Sequence, residues 1–210
     1  MKDKNMHIAV SGNIGAGKTT LTEMLAKHYG WQAEFESVDD NPYLEDFYGD
    51  MHKWAFHLQI YFLNSRFEQI SKLRSGDRTI IQDRTIYEDA YIFAQSLYKQ
   101  GFFKERDYKN YRALFDSMIE FIKPPDLLIY LKSDISKLVK NIETRGRDYE
   151  NLIRIEYLKG LNQHYEDWIA NYEVGKLLII DVSEIDFVKN TEDFSNIVFK
   201  IDTELHGLFS

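Results

Sequence analysis

A glycine-rich segment near the start of the chain constrains the fold more than any other feature. It follows a short apolar run, His7–Val10, which predicts a buried strand, and it precedes an apolar periodicity from Lys18 to Tyr29, which predicts a helix. The segment fits the pattern G-x-x-x-x-G-K-[ST] with the residues Gly12, Asn13, Ile14, Gly15, Ala16, Gly17, Lys18 and Thr19. A strand, this pattern and a helix in that order predict a phosphate-binding loop.

The residue types of this loop suit the polyphosphate of ATP. Glycines let the backbone curl so that its N–H groups point at phosphate oxygens, and the helix N-terminus adds partial positive charge. We predict that Lys18 reaches the β- and γ-phosphates and that the hydroxyl of Thr19 ligates Mg²⁺. Thr20, the next residue, is included in the predicted ATP site.

Composition limits the kinds of partner that the chain can have. Its 210 residues suffice for one domain, so we predict a single domain over residues 1–210. The formal net charge of −8 argues against nucleic acid or an anionic membrane as the main partner. The absence of cysteine excludes disulfides and thiolate chemistry. Without an apolar run of signal-peptide or membrane-span length, the expected location is the cytoplasm.

Alternating apolar runs and helical patterns predict the fold class. Further strands are expected at residues 33–36, 79–82, 126–131 and 176–181. A helix over residues 51–73 is apolar on almost every side, which predicts burial in the core or between subunits. Two more helices are expected between Tyr87 and Ile122, before Pro124. The pattern predicts an α/β fold of three layers (α/β/α) whose five-stranded parallel sheet is covered by helices.

Charged residues at strand and helix ends narrow the function to phosphoryl transfer. Asp83 and Arg84 follow a predicted strand, and the carboxyl ends of parallel strands line the ligand crevice. There an acidic residue can orient Mg²⁺, and an arginine can neutralise a transferring phosphoryl group. Arg145 and Arg147 flank a glycine at a predicted helix end, which suits a lid that closes on phosphates.

Glu36 ends the second predicted strand, where a carboxylate could meet an acceptor hydroxyl. A solvated carboxylate, such as Asp39 or Asp40 nearby, is the alternative interpretation of this residue.

Together these residues resemble the deoxynucleoside kinase family, with motifs in matching order from about Ile8 to Phe187. The matching segments are Gly12–Thr19, Glu36 with Asn41–Tyr43, Trp54 through Gln59 to Arg66, Asp83–Asp89, Arg145–Glu150 and Asp181–Glu184. The resemblance implies transfer of the γ-phosphate of ATP, with Mg²⁺, to the 5′-hydroxyl of a deoxynucleoside. It also implies a P-loop kinase fold with an arginine-bearing lid, and a homodimer.

The resemblance assigns roles around the reacting atoms. Glu36 matches the carboxylate that contacts the 5′-hydroxyl and is usually named as the base. Asp83 matches the residue beside Mg²⁺, which is the alternative proton acceptor. Tyr48 and Glu150 match the residues that hold the sugar 3′-hydroxyl. Arg84 matches the arginine that bridges the 5′-oxygen and the phosphates.

The resemblance assigns base recognition to Gln59, Arg66 and Asp89. Gln59 and Arg66 are seven residues apart, which places both on one face of the predicted helix. A glutamine can donate and accept, and an aspartate can accept from an exocyclic amino group. Phe93 is expected to stack on the base, with a plain core aromatic as the alternative.

Two positions depart from the family pattern, and two other functions stay open. Asn141 stands where some relatives have an arginine, and Ala90 stands where an arginine is frequent. A nucleoside-monophosphate kinase or a non-catalytic ATP-binding regulator would share the phosphate loop, although Glu36 and Glu150 would repel a phosphate acceptor. The Asn41–Tyr43 stretch resembles purine-preferring bacterial members, which favours deoxyadenosine or deoxyguanosine and leaves deoxycytidine possible.

Overall fold

A five-stranded parallel sheet runs through the protein, whose computed structural model describes residues 5–35, 41–73, 78–147, 150 and 152–207. The strands are β1 (His7–Gly12), β2 (Gln32–Glu34), β3 (Ile80–Asp83), β4 (Leu127–Lys132) and β5 (Lys176–Asp181). They lie in the order β2-β3-β1-β4-β5, and each neighbouring pair is parallel. The predicted fold class is confirmed.

Helices connect the strands and follow the last one. They are α1 (Lys18–Tyr29), α2 (Leu44–Gly49), α3 (Met51–Leu73), α4 (Ile86–Glu88), α5 (Gln95–Lys99), α6 (Glu105–Ile119), α7 (Ile135–Arg145), α8 (Ile155–Ala170) and α9 (Thr191–His206). The bounds of α1, α3 and β5 are those predicted from the sequence. Strand β2 begins one residue earlier than predicted and ends at Glu34, and Glu36 lies outside the described residues.

Two apolar cores lie on the two faces of the sheet, which confirms the three-layer arrangement. Strand β4 shows how the alternation of side chains divides them. Leu127, Ile129 and Leu131 belong to the core that contains residues of α1, α7 and α9. Leu128 and Tyr130 belong to the other core, with residues of α3, α6 and α8. Each face of the sheet is therefore covered by helices.

Helix α3 carries two polar side chains into the core. Its buried residues recur at helical spacing and are Ala55, Leu58, Gln59, Leu63, Arg66 and Ile70. The opposite side, with His57, Asn64 and Glu68, is exposed, so the predicted burial holds for one face of the helix. The homodimer stays a prediction. Within the described ranges, no helix is long and apolar enough to cross a membrane.

The segment after β3 differs from the prediction of regular helix. Between α4 and α5, residues Asp89–Ala94 form π-helical turns, and α6 follows after a short loop. π-Helical turns are rare and concentrate at functional sites. Here they bring Asp89 and Phe93 together in the lining of one cavity, so the irregular turn positions two of the predicted substrate-binding side chains.

Candidate active site

A cavity of about 440 Å³ collects most of the residues that the sequence indicates as functional. Those that line it are Ile14, Gly15, Lys18, Thr19, Tyr48, Gln59, Asp83, Arg84, Asp89, Phe93, Arg145, Arg147 and Glu150. The lining does not include Gly12, Asn13, Ala16, Gly17, Thr20 or Arg66. Glu36 lies outside the described residues. The cavity volume falls in the range usual for small-molecule sites.

The phosphate-binding loop curls as its glycines predict. Gly15 and Gly17 have φ angles of +84° and +93°, in the region that favours glycine. The loop closes on the carbonyl oxygen of Asn13, which accepts hydrogen bonds from Ala16 N at 3.1 Å and from Lys18 Nζ at 3.0 Å. Helix α1 then begins at Lys18, so the N–H groups of its first turn lie at the loop.

The side chain of Asn13 is directed away from the predicted ATP site. Its Nδ2 donates to the carbonyl oxygen of Leu158 at 3.0 Å and to Oδ1 of Asn162 at 3.1 Å, both on α8. Its Oδ1 accepts from the backbone N of Ile14 at 2.8 Å. The side chain of Asn13 therefore attaches the loop to α8, and its contribution to ATP binding stays a prediction.

Helix α7 packs directly against the phosphate-binding loop. Asn141 Nδ2 donates to the carbonyl oxygen of Gly15 at 2.8 Å, at the position where some family members have an arginine. A Cβ atom added to Gly15 would lie 2.6 Å from the carbonyl oxygen of Leu138. The side chain of Asn141 thus supports the phosphate-binding loop by a hydrogen bond to the backbone of the loop.

Gly15→Ala is expected to destabilise the fold more than Gly101→Ala does. Both glycines have similar φ angles, +84° and +81°, so both substitutions impose roughly 1–2 kcal/mol for a left-handed alanine. Only at Gly15 does the new methyl group meet backbone; at Gly101 nothing described lies within 4 Å. Crowding of this kind costs a further ~1–3 kcal/mol. Thermal unfolding of the two variants measures the difference, and equal Tm losses would contradict the close packing of α7.

Asp83 and Thr19 form a unit that fits a magnesium ion. The hydroxyl of Thr19 donates to Oδ2 of Asp83 at 2.5 Å. The other oxygen, Oδ1, is buried and has no hydrogen-bond partner among the described residues. A hydroxyl and a carboxylate with an unused oxygen provide the hard oxygen ligands that Mg²⁺ prefers, directly or through water.

Arg84 has an unusual backbone conformation. Among the described residues other than glycine, it is the one with a positive φ angle, +71°. Its guanidinium group is buried and lies 4.3 Å from the ring centre of Phe93. A bulky residue in the left-handed region is strained, and such strain concentrates at active sites.

Buried polar groups from α3 and the π-helical turns line the other part of the cavity. Oε1 of Gln59 is buried without a hydrogen-bond partner in the described part of the chain. Oδ2 of Asp89 accepts from Nε of Arg66 at 2.6 Å, and both side chains are 2% exposed. Arg66 lies behind Asp89, outside the cavity lining. Its Nη1 also donates to the carbonyl oxygens of Asp83 and Arg84, each at 3.3 Å.

The lid arginines and the predicted sugar-binding carboxylate contact each other. Arg145 donates to both oxygens of Glu150, with Nε 3.0 Å from Oε2. Arg147 Nη1 lies 3.9 Å from Oε1 of the same carboxylate. The arginine side chains remain about one-third exposed, whereas that of Glu150 is 4% exposed. A phosphate and a sugar hydroxyl bound here would share one ion-pair network.

Several lining residues escaped the sequence analysis. They are Glu23, Phe35, Leu44, Phe47, Leu58, Phe62 and Tyr157. Helical spacing would have indicated Phe62, three positions after Gln59, and then Leu58, four positions before Phe62, since neighbours at three and four positions share a face. Tyr157, on α8, had no such signal. Burial raises its pKa and the charge of Arg84 opposes this rise, so its hydroxyl is neutral at physiological pH.

Comparisons with known proteins identify the family of this chain. A sequence model of the family described as deoxynucleoside kinase matches residues 8–206. A deoxyadenosine/deoxycytidine kinase of Bacillus subtilis (strain 168) is 39% identical over 205 residues, which are 97% of this chain and 94% of the relative. A deoxyadenosine kinase of Lactobacillus acidophilus is 36% identical over 210 residues, covering 96% and 97%. The structure of deoxyadenosine kinase from M. mycoides with bound dATP matches with a TM-score of 0.83 and 32% identity, covering 94% of this chain and 99% of that one.

Proposed function

Because this chain belongs to the deoxynucleoside kinase family, we propose that it transfers the γ-phosphate of ATP to the 5′-hydroxyl of a deoxynucleoside, with deoxyadenosine as the favoured acceptor. The observation that carries the proposal is one continuous cavity. It is lined by the phosphate-binding residues Lys18 and Thr19 and also by the buried polar side chains of Gln59 and Asp89. A donor phosphate and a polar base can therefore occupy the same site.

The protein's own contribution to the reaction is position and charge. Lys18 and Arg84 supply positive charge to the transferring phosphoryl group, which reacts with little covalent help from the protein. Thr19 and Asp83 would hold Mg²⁺, which supplies further neutralisation of the phosphate charge. Glu36 is proposed to accept the proton of the 5′-hydroxyl, and Asp83 is the alternative acceptor.

The choice of base follows from the acceptor atoms in the cavity. Nε of Arg66 donates to Oδ2 of Asp89 at 2.6 Å, and Asp89 lines the cavity. A carboxylate there accepts from the exocyclic amino group of adenine or cytosine. Guanine presents O6 at the corresponding position and is less suited. The relatives named above act, by their names, on deoxyadenosine or on deoxyadenosine and deoxycytidine. Deoxyguanosine and deoxycytidine are the further candidates.

Thymidine is expected to be poorer than deoxyadenosine by at least roughly tenfold in kcat/KM, because its O4 would face the Asp89 carboxylate and the two acceptors would repel each other. The double variant Asp89→Ala with Arg66→Met should move the ratio toward thymidine without leaving a buried charge alone. Arg66 also holds the carbonyls of Asp83 and Arg84, so total activity should fall. The ratio of the two kcat/KM values is the measurement. Equal use of thymidine and purine deoxynucleosides by the wild type would contradict the mapping of the base pocket.

A panel assay tests the proposed function against its alternatives. The protein is incubated with ATP and Mg²⁺ and with each deoxynucleoside or its 5′-monophosphate in turn, and ADP release is followed. ADP release that depends on a deoxynucleoside supports the proposal. Dependence on a monophosphate would instead indicate a nucleoside-monophosphate kinase, and no release with any acceptor would indicate a non-catalytic ATP-binding protein.

A further inference from the structure

A buried carboxylate, Glu88, lies beside the reacting residues without lining the cavity. Its side chain is 0% exposed. Oε2 accepts a hydrogen bond from the backbone N of Thr85 at 2.7 Å and lies 3.2 Å from the Thr85 hydroxyl, which also donates to it. Oε1 accepts from the hydroxyl of Tyr165, on α8, at 2.9 Å. Glu88 thus connects α8 with the residue that directly follows Arg84.

The backbone around Arg84 is held from several sides. Its N–H donates to the carbonyl oxygen of Val10 on β1 at 2.9 Å. Its carbonyl oxygen accepts from Arg66 at 3.3 Å. The next N–H, that of Thr85, is the one that donates to Glu88. A left-handed arginine persists only where its surroundings determine it, and these contacts fix the peptide groups on both sides of it.

From these contacts we infer that Glu88 is a positioning residue for Arg84. It holds the Thr85 amide and so keeps the strained turn in the conformation that directs the Arg84 guanidinium into the cavity, while Tyr165 orients Glu88. The inference rests on the proposed function, in which Arg84 acts on the transferring phosphoryl group. Loss of Glu88 should therefore lower kcat and leave the KM for the deoxynucleoside nearly unchanged.

A double-mutant cycle separates this role from plain support of the fold. Glu88→Ala is expected to lower kcat at least roughly tenfold, because small displacements of a reacting group are costly. In an Arg84→Ala background the same change should lower kcat less than about twofold, since the group on which Glu88 acts is gone. Equal losses in both backgrounds would overturn the inference. Glu88→Gln keeps an acceptor for the Thr85 amide and should retain kcat within about threefold of wild type.

Two tyrosines supply a test that preserves the carboxylate. Tyr165→Phe removes the donor to Glu88 and should lower kcat by roughly threefold, again only when Arg84 is present. Tyr130 stacks on Tyr165, with ring centres 5.8 Å apart, but its hydroxyl donates to Glu166. Tyr130→Phe is therefore the matched control and should leave kcat unchanged. If Glu88→Ala does not fold, the cycle with Tyr165→Phe decides, and an unchanged kcat in that variant overturns the inference.

The single variants separate failure of the proposed function from failure of the positioning role of Glu88. Wild-type kcat in Arg84→Ala would remove Arg84 from the proposed mechanism, and this inference would fall with it. A slow Arg84→Ala variant together with wild-type kcat in Glu88→Ala would overturn the positioning role alone and leave the proposed function intact.

Discussion

Lys18→Ala is expected to remain folded while its kcat falls at least roughly a hundredfold, because one preorganised charge contact is worth a few kcal/mol in the transition state. Lys18 is buried beside the loop, with Nζ 3.0 Å from the carbonyl oxygen of Asn13. That carbonyl also accepts from Ala16, so the loop retains an internal hydrogen bond without the lysine. ADP release measures kcat, and thermal unfolding checks the fold.

Lys27→Ala on the same helix is the control for Lys18→Ala. Lys27 is exposed in the last turn of α1, far from the loop in sequence, and its removal should leave turnover unchanged. Near-normal turnover in Lys18→Ala would contradict the assignment of the phosphate-binding loop.

Glu36→Gln is expected to keep binding of ATP and deoxynucleoside within about tenfold while lowering kcat by roughly a hundredfold or more. The amide remains polar but cannot accept the proton of the 5′-hydroxyl. Asp83→Asn should instead change the response to Mg²⁺, because Asp83 binds Thr19 and keeps a buried oxygen without a partner among the described residues. The measurement is kcat as a function of Mg²⁺ concentration for both variants.

The comparison of these two variants decides which residue is the base. If Asp83→Asn loses kcat at every Mg²⁺ concentration and Glu36→Gln does not, then Asp83 accepts the proton. Glu34→Gln serves as the control for removal of a negative charge from β2, the strand beside β3. Glu34 accepts a hydrogen bond from Gln32 and does not line the cavity. It should leave both kcat and the Mg²⁺ response unchanged.

The regular elements were predictable because their causes are local. The apolar run of Lys176–Asp181 and the periodicity of Lys18–Tyr29 and Met51–Leu73 give the observed bounds of β5, α1 and α3. The sequence motifs, taken in order, also predicted most of the functional side chains that line the cavity. Local pattern was sufficient for Asp83, because parallel strands bring their carboxyl ends to one edge of the sheet, whereas Gln59 and Asp89 were assigned through the resemblance to the deoxynucleoside kinase family.

The parts that escaped prediction depend on contacts between distant residues. The side-chain nitrogen of Asn13 donates to acceptors on α8, 145 and 149 positions away. The π-helical turns begin at Asp89, which forms a buried ion pair with Arg66 on α3, 23 residues earlier. The left-handed Arg84 has no signature in composition or periodicity, since a single sequence reveals strain only where glycine marks it.

The backbone conformation of Arg84 sets stability against activity at a single position. A glycine would adopt the same φ angle without the steric penalty, which for other residues amounts to about 1–3 kcal/mol, but it would remove the guanidinium group. A homologue that no longer transfers a phosphoryl group would therefore gain thermal stability by replacing this arginine with glycine. If Arg84 acts on the phosphoryl group as proposed, an arginine at this strained turn is expected in homologues that catalyse the transfer and is expected to be lost from those that do not.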